Sequence, residues 1–374
     1  MKYYVIAGEA SGDLHASNLI QEIKELDTNA EFRCWGGDLM ISKNVTIVKH
    51  IKELAFLGIT EVIANIRTIK RNFKFCEQDI VSYSPDVLIL VDYPGFNLRI
   101  AKFAKLKGFK IFYYISPTVW AWHQSRVEQV RKYVDKMFVI LPFEKEFYKK
   151  FNIDIEFAGH PLLDAIANEE KNIPAFNEFC KQNNLSDKPI IAILPGSRKQ
   201  EIKKKLPLML EVIKYFNDYQ FVIAGAPAIS IDFYNQYMDN QKTPIVFGKT
   251  YQLLRNSNSA IVTSGTATLE TALFNIPQVV CYKTSPLTFL IAKLFVHIKH
   301  ISLVNIILNK ESISELIQGK LTIENLKNEL TLITTGPKRN QILSDYDSLA
   351  KLVGEPGASK RIAKIMIELL KREK

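Results

Sequence analysis

Residues Ile190–Glu201, IIAILPGSRKQE, decide how the chain is read. Five apolar residues, Ile190 to Leu194, have the pattern of a strand buried in a parallel sheet. Pro195-Gly196-Ser197 breaks that run, and a helical pattern takes over from Glu201. A turn of this kind leaves backbone N–H groups free at a helix N-terminus, a natural seat for phosphate. Arg198 stands at the seat, where a planar guanidinium can grip two phosphate oxygens. The beginning of the chain, Tyr3–Asp13 (YYVIAGEASGD), repeats the plan of strand, small-residue loop and helix. Two such starts predict two nucleotide-binding-type domains facing a cleft. The plain alternative is a pair of ordinary strand-to-helix turns that bind nothing.

Working outward, strand patterns fall at Tyr3–Ala7, Phe32–Trp35, Val87–Val91, Ile111–Ile115, Met137–Leu141 and Ile155–Ala158 in the first half. In the second half they fall at Ile190–Leu194, Gln220–Ala224, Ile245–Phe247, Ala260–Thr263 and Val279–Tyr282. Helical patterns lie between most of them. Such alternation predicts doubly wound α/β domains with parallel sheets covered by helices on both faces. The expected boundaries are a first domain over 1–166, a polar connector over 167–188, a second domain over 189–340 and a C-terminal helical segment over 341–374.

Composition narrows the function. The 374 residues include 47% hydrophobic and 24% charged, which describes a globular chain. Four cysteines without Cys-x-x-Cys spacing argue against a zinc site or disulfide framework. Met1-Lys2 runs straight into a strand, unlike a signal peptide, and no run of about 18 apolar residues predicts a transmembrane helix. The net charge of +10 suits nucleic acid, an anionic membrane or a phosphorylated substrate. No nucleic-acid-binding module is visible, so no nucleic-acid partner is expected.

Ligands of such sheets sit beyond the strand C-termini. The first loop there holds Glu9, Ser11, Gly12 and Asp13, whose polar groups can bond sugar hydroxyls or simply cap the next helix. Asp92 follows strand Val87–Val91 and opens Asp92-Tyr93-Pro94-Gly95-Phe96-Asn97. A carboxylate so placed can take a proton from a hydroxyl; a turn-forming Asp is the alternative. Trp120 and Trp122 can stack on sugars or plug a core. His160, in Gly159-His160-Pro161, is a proton shuttle or a packed turn. The run Ser264-Gly265-Thr266-Ala267-Thr268-Leu269-Glu270 makes a second phosphate cradle, with Glu270 placed for ribose hydroxyls.

Leu54–Phe75 carries a wide apolar stripe that includes Leu57, Val62, Ile66 and Ile69, with Arg67, Lys70, Arg71 and Lys74 toward its end. It reads as an interfacial membrane or acyl-chain surface, against the commoner buried amphipathic helix. Phe289–Ile301 is a second such candidate. Asp345-Tyr346-Asp347 follows no strand, and no ligand cluster has metal spacing, so no metal and no cofactor are expected.

The blocks AGEASGD at 7–13, ELAFLGITEV at 53–62, PDVLILVDYPGFN at 85–97, YISPTVWAW at 114–122, LPFEKEFY at 141–148, FAGHP at 157–161, LPGSR at 194–198, SGTATLE at 264–270 and LVNIIL at 303–308 carry a resemblance over nearly the whole chain. The chain resembles the lipid-A-disaccharide synthase family. The resemblance implies a glycosyltransferase of the GT-B class, with two Rossmann-like domains. It implies UDP-2,3-diacylglucosamine as donor, 2,3-diacylglucosamine 1-phosphate as acceptor and inversion without a metal. It further implies work at the cytoplasmic face of the inner membrane of Gram-negative bacteria, against an anionic membrane surface.

On this reading Asp92 is the base, with His160 and Glu9 next in line. Gly196, Ser197, Arg198, Ser264, Gly265, Thr266, Glu270 and Asn305 bind UDP. Some family members carry a second acid where this chain has Gly95, which leaves Asp92 as the only carboxylate of its loop. A UDP-sugar epimerase of the same plan and a non-catalytic lipid-binding protein are the alternatives; a nicotinamide enzyme lacks its G-x-G-x-x-G. The sequence leaves a homodimer open.

Overall fold

The structure, a computed structural model, describes residues 1–54, 65–117, 119–120, 126–238, 243–286, 289–290 and 298–372. The chain divides into two compact units, Met1–Ala165 with Val353–Lys374, and Ile166–Leu352.

The first unit is built on seven strands: β1 (Lys2–Ala7), β2 (Glu31–Gly36), β3 (Thr46–His50), β4 (Val87–Val91), β5 (Ile111–Tyr114), β6 (Lys136–Val139) and β7 (Ile155–Phe157). Every pairing is parallel, in the order β3-β2-β1-β4-β5-β6-β7. The order reverses between β1 and β4, the position at which doubly wound sheets hold ligands. Alternate residues serve opposite faces. Tyr3, Val5, Val87, Ile89, Val91 and Phe112 join helix Ala10–Leu26 and the C-terminal helix in one buried cluster. Tyr4, Ile6, Leu88, Leu90, Ile111 and Tyr113 join the helices that begin at Ile66, Pro94 and Val127 in the other. All five residues of β4 are buried. Each such aliphatic side chain contributes about 1.5–3 kcal/mol by leaving water. Burial on both faces explains why this strand reads as an unbroken apolar run.

The second unit repeats the winding with β8 (Ile190–Leu194), β9 (Gln220–Gly225), β10 (Ile245–Phe247), β11 (Ser257–Thr263), β12 (Gln278–Tyr282) and β13 (Glu315–Ile317), ordered β10-β9-β8-β11-β12-β13. Its switch point lies between β8 and β11. Both sheets are α/β and doubly wound, as the alternation predicts. The two strands absent from the sequence reading, β3 and β13, lie at sheet edges. No residue of β3 is fully buried and β13 has three residues, so neither leaves an apolar run to recognise.

The C-terminal segment consists of two helices. Lys338–Val353 belongs almost wholly to the second unit, and Ala358–Arg372 packs beside Ala10–Leu26 in the first. Asp164 caps the returning helix: its carboxylate accepts from the N–H groups of Gly357, Ala358 (3.2 Å) and Ser359 (2.8 Å).

Candidate active site

At the switch point of the first sheet, helix Pro94–Leu106 begins immediately after Asp92 and Tyr93. Both residues have φ of 45°, in the left-handed region. Ile115, at the end of the neighbouring β5, has φ of 66°, which is costly for a β-branched residue. Strain of this kind costs about 1–3 kcal/mol per residue and persists where the surroundings over-determine it. Here the surroundings are visible. The backbone carbonyl of Asp92 accepts from Asn97 Nδ2 at 2.8 Å and from the Tyr113 hydroxyl at 2.6 Å. Asn97 is fully buried and also donates to the Val91 carbonyl at 3.2 Å. With the Asp92 N–H donating to the Tyr114 carbonyl at 3.0 Å, three hydrogen bonds hold the Asp92 backbone.

The Tyr93 ring lies against Gly8, where an added Cβ would meet it at 2.4 Å. Glycine at this position lets the first loop approach the Asp92 turn, and Glu9 is the next residue. Burial, and then the negative charge of Glu9, push the Asp92 carboxyl up to about 7. Glu9 is half-buried and Ser11 is exposed at the start of its helix. Asp13 is spent on structure: it is buried and accepts from the N–H groups of Gly37 (2.7 Å), Leu39 (3.0 Å) and Met40 (3.1 Å). Gly12 is buried against Ala7, with room for no more than ordinary contact.

His160, named after Asp92 as a candidate base, is enclosed within the first unit. It is 1% exposed, its Nδ1 accepts from Leu162 N–H at 3.2 Å, and its ring meets that of His15 edge-on at 6.4 Å. Burial and the neighbouring His15 lower it to about 3, so it stays neutral and closed in. Glu144, in the LPFEKEFY block, was missed as a polar centre. It is buried, accepts from Leu141 N–H at 3.0 Å and is pushed by burial up to about 7. Nearby, Ser116 and Tyr148 share a 2.7 Å hydroxyl contact. Trp120 packs edge-on to Phe143 at 4.9 Å, while Trp122 lies outside the described residues.

At the switch point of the second sheet, β8 ends at Leu194, Pro195 follows, and Gly196 takes φ of 114° before helix Lys199–Glu211. Ser197 and Arg198 are exposed. Ser197 N–H donates to Glu201 Oε2 at 3.2 Å, and Glu201 Oε1 stands 3.7 Å from Arg198. Gly265, with φ of 150°, caps helix Thr266–Leu273, and Thr266 is exposed in its first turn. Ser264 Oγ donates to the Ile301 carbonyl at 2.9 Å, so it braces the loop. Glu270 accepts from the Tyr251 hydroxyl at 3.3 Å and is pushed by burial up to about 7.

Asn305 sits in helix Leu303–Leu308. It is wholly buried, and its amide is saturated: Oδ1 accepts from Ser312 and Ile313 N–H, and Nδ2 donates to Ile313 O and Glu315 Oε1. It braces the loop that leads into β13 and has no valence left for a ligand.

Of the apolar stripe, Leu57 and Val62 lie outside the described residues. Helix Ile66–Tyr83 buries Asn72, Cys76 and Ile80, and Phe73 stacks on Phe96 at 4.4 Å. Ile69 is half-buried, while Ile66 is 51% exposed beside exposed Arg67, Lys70, Arg71 and Lys74. Most of Phe289–Ile301 is likewise outside the described residues. Among the described residues, no helix is long and apolar enough to cross a membrane, and no cluster of three His, Cys, Asp or Glu forms a metal centre. Asp345 is held by Lys310 at 2.6 Å and Gln341 at 2.9 Å.

Comparison with known proteins places this geometry. A family model described as lipid-A-disaccharide synthetase matches residues 3–367. The lipid-A-disaccharide synthase of Syntrophus aciditrophicus is 35% identical, with 98% of this chain and 97% of the relative covered. That of Coxiella burnetii is 34% identical, with 98% of each covered. Among solved structures, UDP-GlcNAc 2-epimerase from Neisseria meningitidis bound to UDP-GlcNAc matches with a TM-score of 0.68 at 12% identity, covering 98% of this chain and all of the other. MurG of Acinetobacter baumannii matches with a TM-score of 0.59 at 12% identity, covering 98% and 99%. At such identities the structural likenesses speak for the fold, which is of the GT-B type. Family match and full-length relatives together settle the assignment: the chain belongs to the lipid-A-disaccharide synthase family.

Proposed function

We propose that Asp92 is the base of the family reaction and that the Gly196–Arg198 turn, with the Gly265–Thr266 helix start, receives the donor's diphosphate. The reaction joins UDP-2,3-diacylglucosamine to 2,3-diacylglucosamine 1-phosphate and yields the β-1,6-linked disaccharide 1-phosphate and UDP. Inversion needs one proton acceptor for the attacking 6-hydroxyl. The observation that carries the proposal is the Asp92 carboxyl, raised to about 7 at the end of β4 on a peptide held by Asn97 and Tyr113. A base with a pKa near the working pH combines the correct protonation state with useful basicity. Glu9 supports the role by keeping negative charge beside that carboxyl.

The leaving diphosphate needs fixed positive charge where its own charge develops. Arg198 and two helix N-termini offer it, and the ribose hydroxyls are assigned to Glu270. The exposed Ile66 and its four basic neighbours support a peripheral seat on an anionic inner-membrane surface, where diacyl substrates reside.

Mass spectrometry of the product from purified protein given both diacyl sugars tests the reading. A disaccharide 1-phosphate with stoichiometric UDP is expected. An epimerised UDP-sugar, or no conversion by folded protein, would contradict it.

A further inference from the structure

Helix Lys199–Glu211 carries a feature that the diphosphate seat does not by itself explain. Lys205 is 2% exposed and lies on the inner side of the helix with Ile202, Leu206 and Met209. Among the described residues its ammonium forms no hydrogen bond or salt bridge, although the side chain that carries it is almost wholly covered. Glu201 stands four residues earlier on the same helix, the spacing and orientation in which glutamate and lysine pair most favourably. Helical side chains lean toward the N-terminus, which aims Lys205 up toward Glu201 and the turn above it.

Glu201 is nevertheless turned the other way. Its Oε2 accepts from Ser197 N–H at 3.2 Å and would stand 2.4 Å from a Cβ on Gly196. Its Oε1 is 3.7 Å from Arg198. The carboxylate thus takes the N–H and the guanidinium that a phosphate oxygen would use. Thr263, at the end of β11, adds a buried hydroxyl with no partner among the described residues. Glu201 and Arg198 are among the charges that act on Lys205, and burial lowers its ammonium to about 8.

We propose that Glu201 and Lys205 form an exchange pair beneath the diphosphate seat: phosphate displaces the Glu201 carboxylate from Ser197 and Arg198, and Lys205 receives it one helical turn below. The proposal rests on reading this turn as the diphosphate seat. Lys205 is then a positioning residue that acts through Glu201. Without it, the displaced carboxylate stays beside the phosphate and repels it.

Calorimetric titration with UDP and with uridine tests the exchange, since uridine lacks the competing anion. Lys205→Met should weaken UDP binding about tenfold, the scale of one lost charge-assisted contact, and leave uridine binding unchanged. Glu201→Gln should tighten UDP binding, because the competing charge is gone. The double variant should bind UDP like Glu201→Gln alone. Equal losses for UDP and uridine in Lys205→Met would mark a packing role and overturn the proposal. So would a Lys205→Met effect that persists undiminished in the Glu201→Gln background, or a Glu201→Gln protein with unchanged or weaker UDP affinity. Should Lys205→Met fail to fold, the Glu201→Gln result decides. Arg198→Ala separates the two levels: unchanged UDP affinity there would overturn the seat itself, whereas a clear loss there with no Glu201–Lys205 coupling overturns the exchange alone.

Discussion

The two sheets are wound in the same order, yet their switch points carry opposite chemistry. Beyond β1 and β4 stand Glu9 and Asp92, and burial, then the charge of Glu9, raises Asp92. Beyond β8 and β11 stand Arg198, a helix N-terminus on each side and the nearly covered side chain of Lys205. Winding fixes where a ligand binds, while a handful of residues at the strand ends fix what happens there. The structural neighbours make the same point, because UDP-GlcNAc 2-epimerase shares the fold at 12% identity.

The sharpest way to break this contrast is to neutralise the acid side. Asp92→Asn should lower turnover by about a hundredfold to ten-thousandfold, the range for a lost general base. Steady-state assay of the folded variant checks it, and near-normal turnover would move the base to Glu9.

The acid pair also predicts a pH dependence. As the proposed base, Asp92 would act as the carboxylate, so kcat/KM should climb as pH rises through about 7 and fall away on the acid side. Glu9→Gln removes a like charge and favours the ionised form, which moves this limb toward acid. Burial is the larger cause of the shift, so the limb should remain above the ordinary 3.8 of an aspartate. A pH–rate profile with the limb unmoved in Glu9→Gln would separate the two acids.

The smallest effect concerns helix Ile66–Tyr83 of the first unit. Ile66→Ser with Ile69→Ser should lower binding to anionic liposomes while UDP binding persists. Salt should reverse only the electrostatic part, about 1 kcal/mol per basic residue near the surface. Liposome sedimentation that matches wild type would make the stripe part of the core.

Legibility in the sequence followed burial and locality. β4 and β8 were readable because all five residues of each are apolar and buried on both faces. The edge strands β3 and β13 were not, since one face of an edge needs no apolar residue. Asp92 was readable as an acid directly after a strand. Asn97 was not singled out, although it closes the same loop, because its role depends on carbonyls at Val91 and Asp92. The hydrogen bonding of Asn305 was not readable, because it is set by Ser312, Ile313 and Glu315. The burial of His160 was not readable, because its neighbour His15 is far off in sequence. Lys205 hides in the run Lys203-Lys204-Lys205, where only the fold shows which lysine turns inward.

The central claim is a division of labour, with chemistry on the acid side and diphosphate binding on the basic side. Titration of UDP into wild type, Asp92→Asn and Arg198→Ala tests it most directly. Arg198→Ala should lose about tenfold to a hundredfold in affinity, as expected for a charged hydrogen-bonding group. Asp92→Asn should bind UDP as wild type does. Equal affinity in all three proteins, or a loss in Asp92→Asn that matches the loss in Arg198→Ala, would contradict the account.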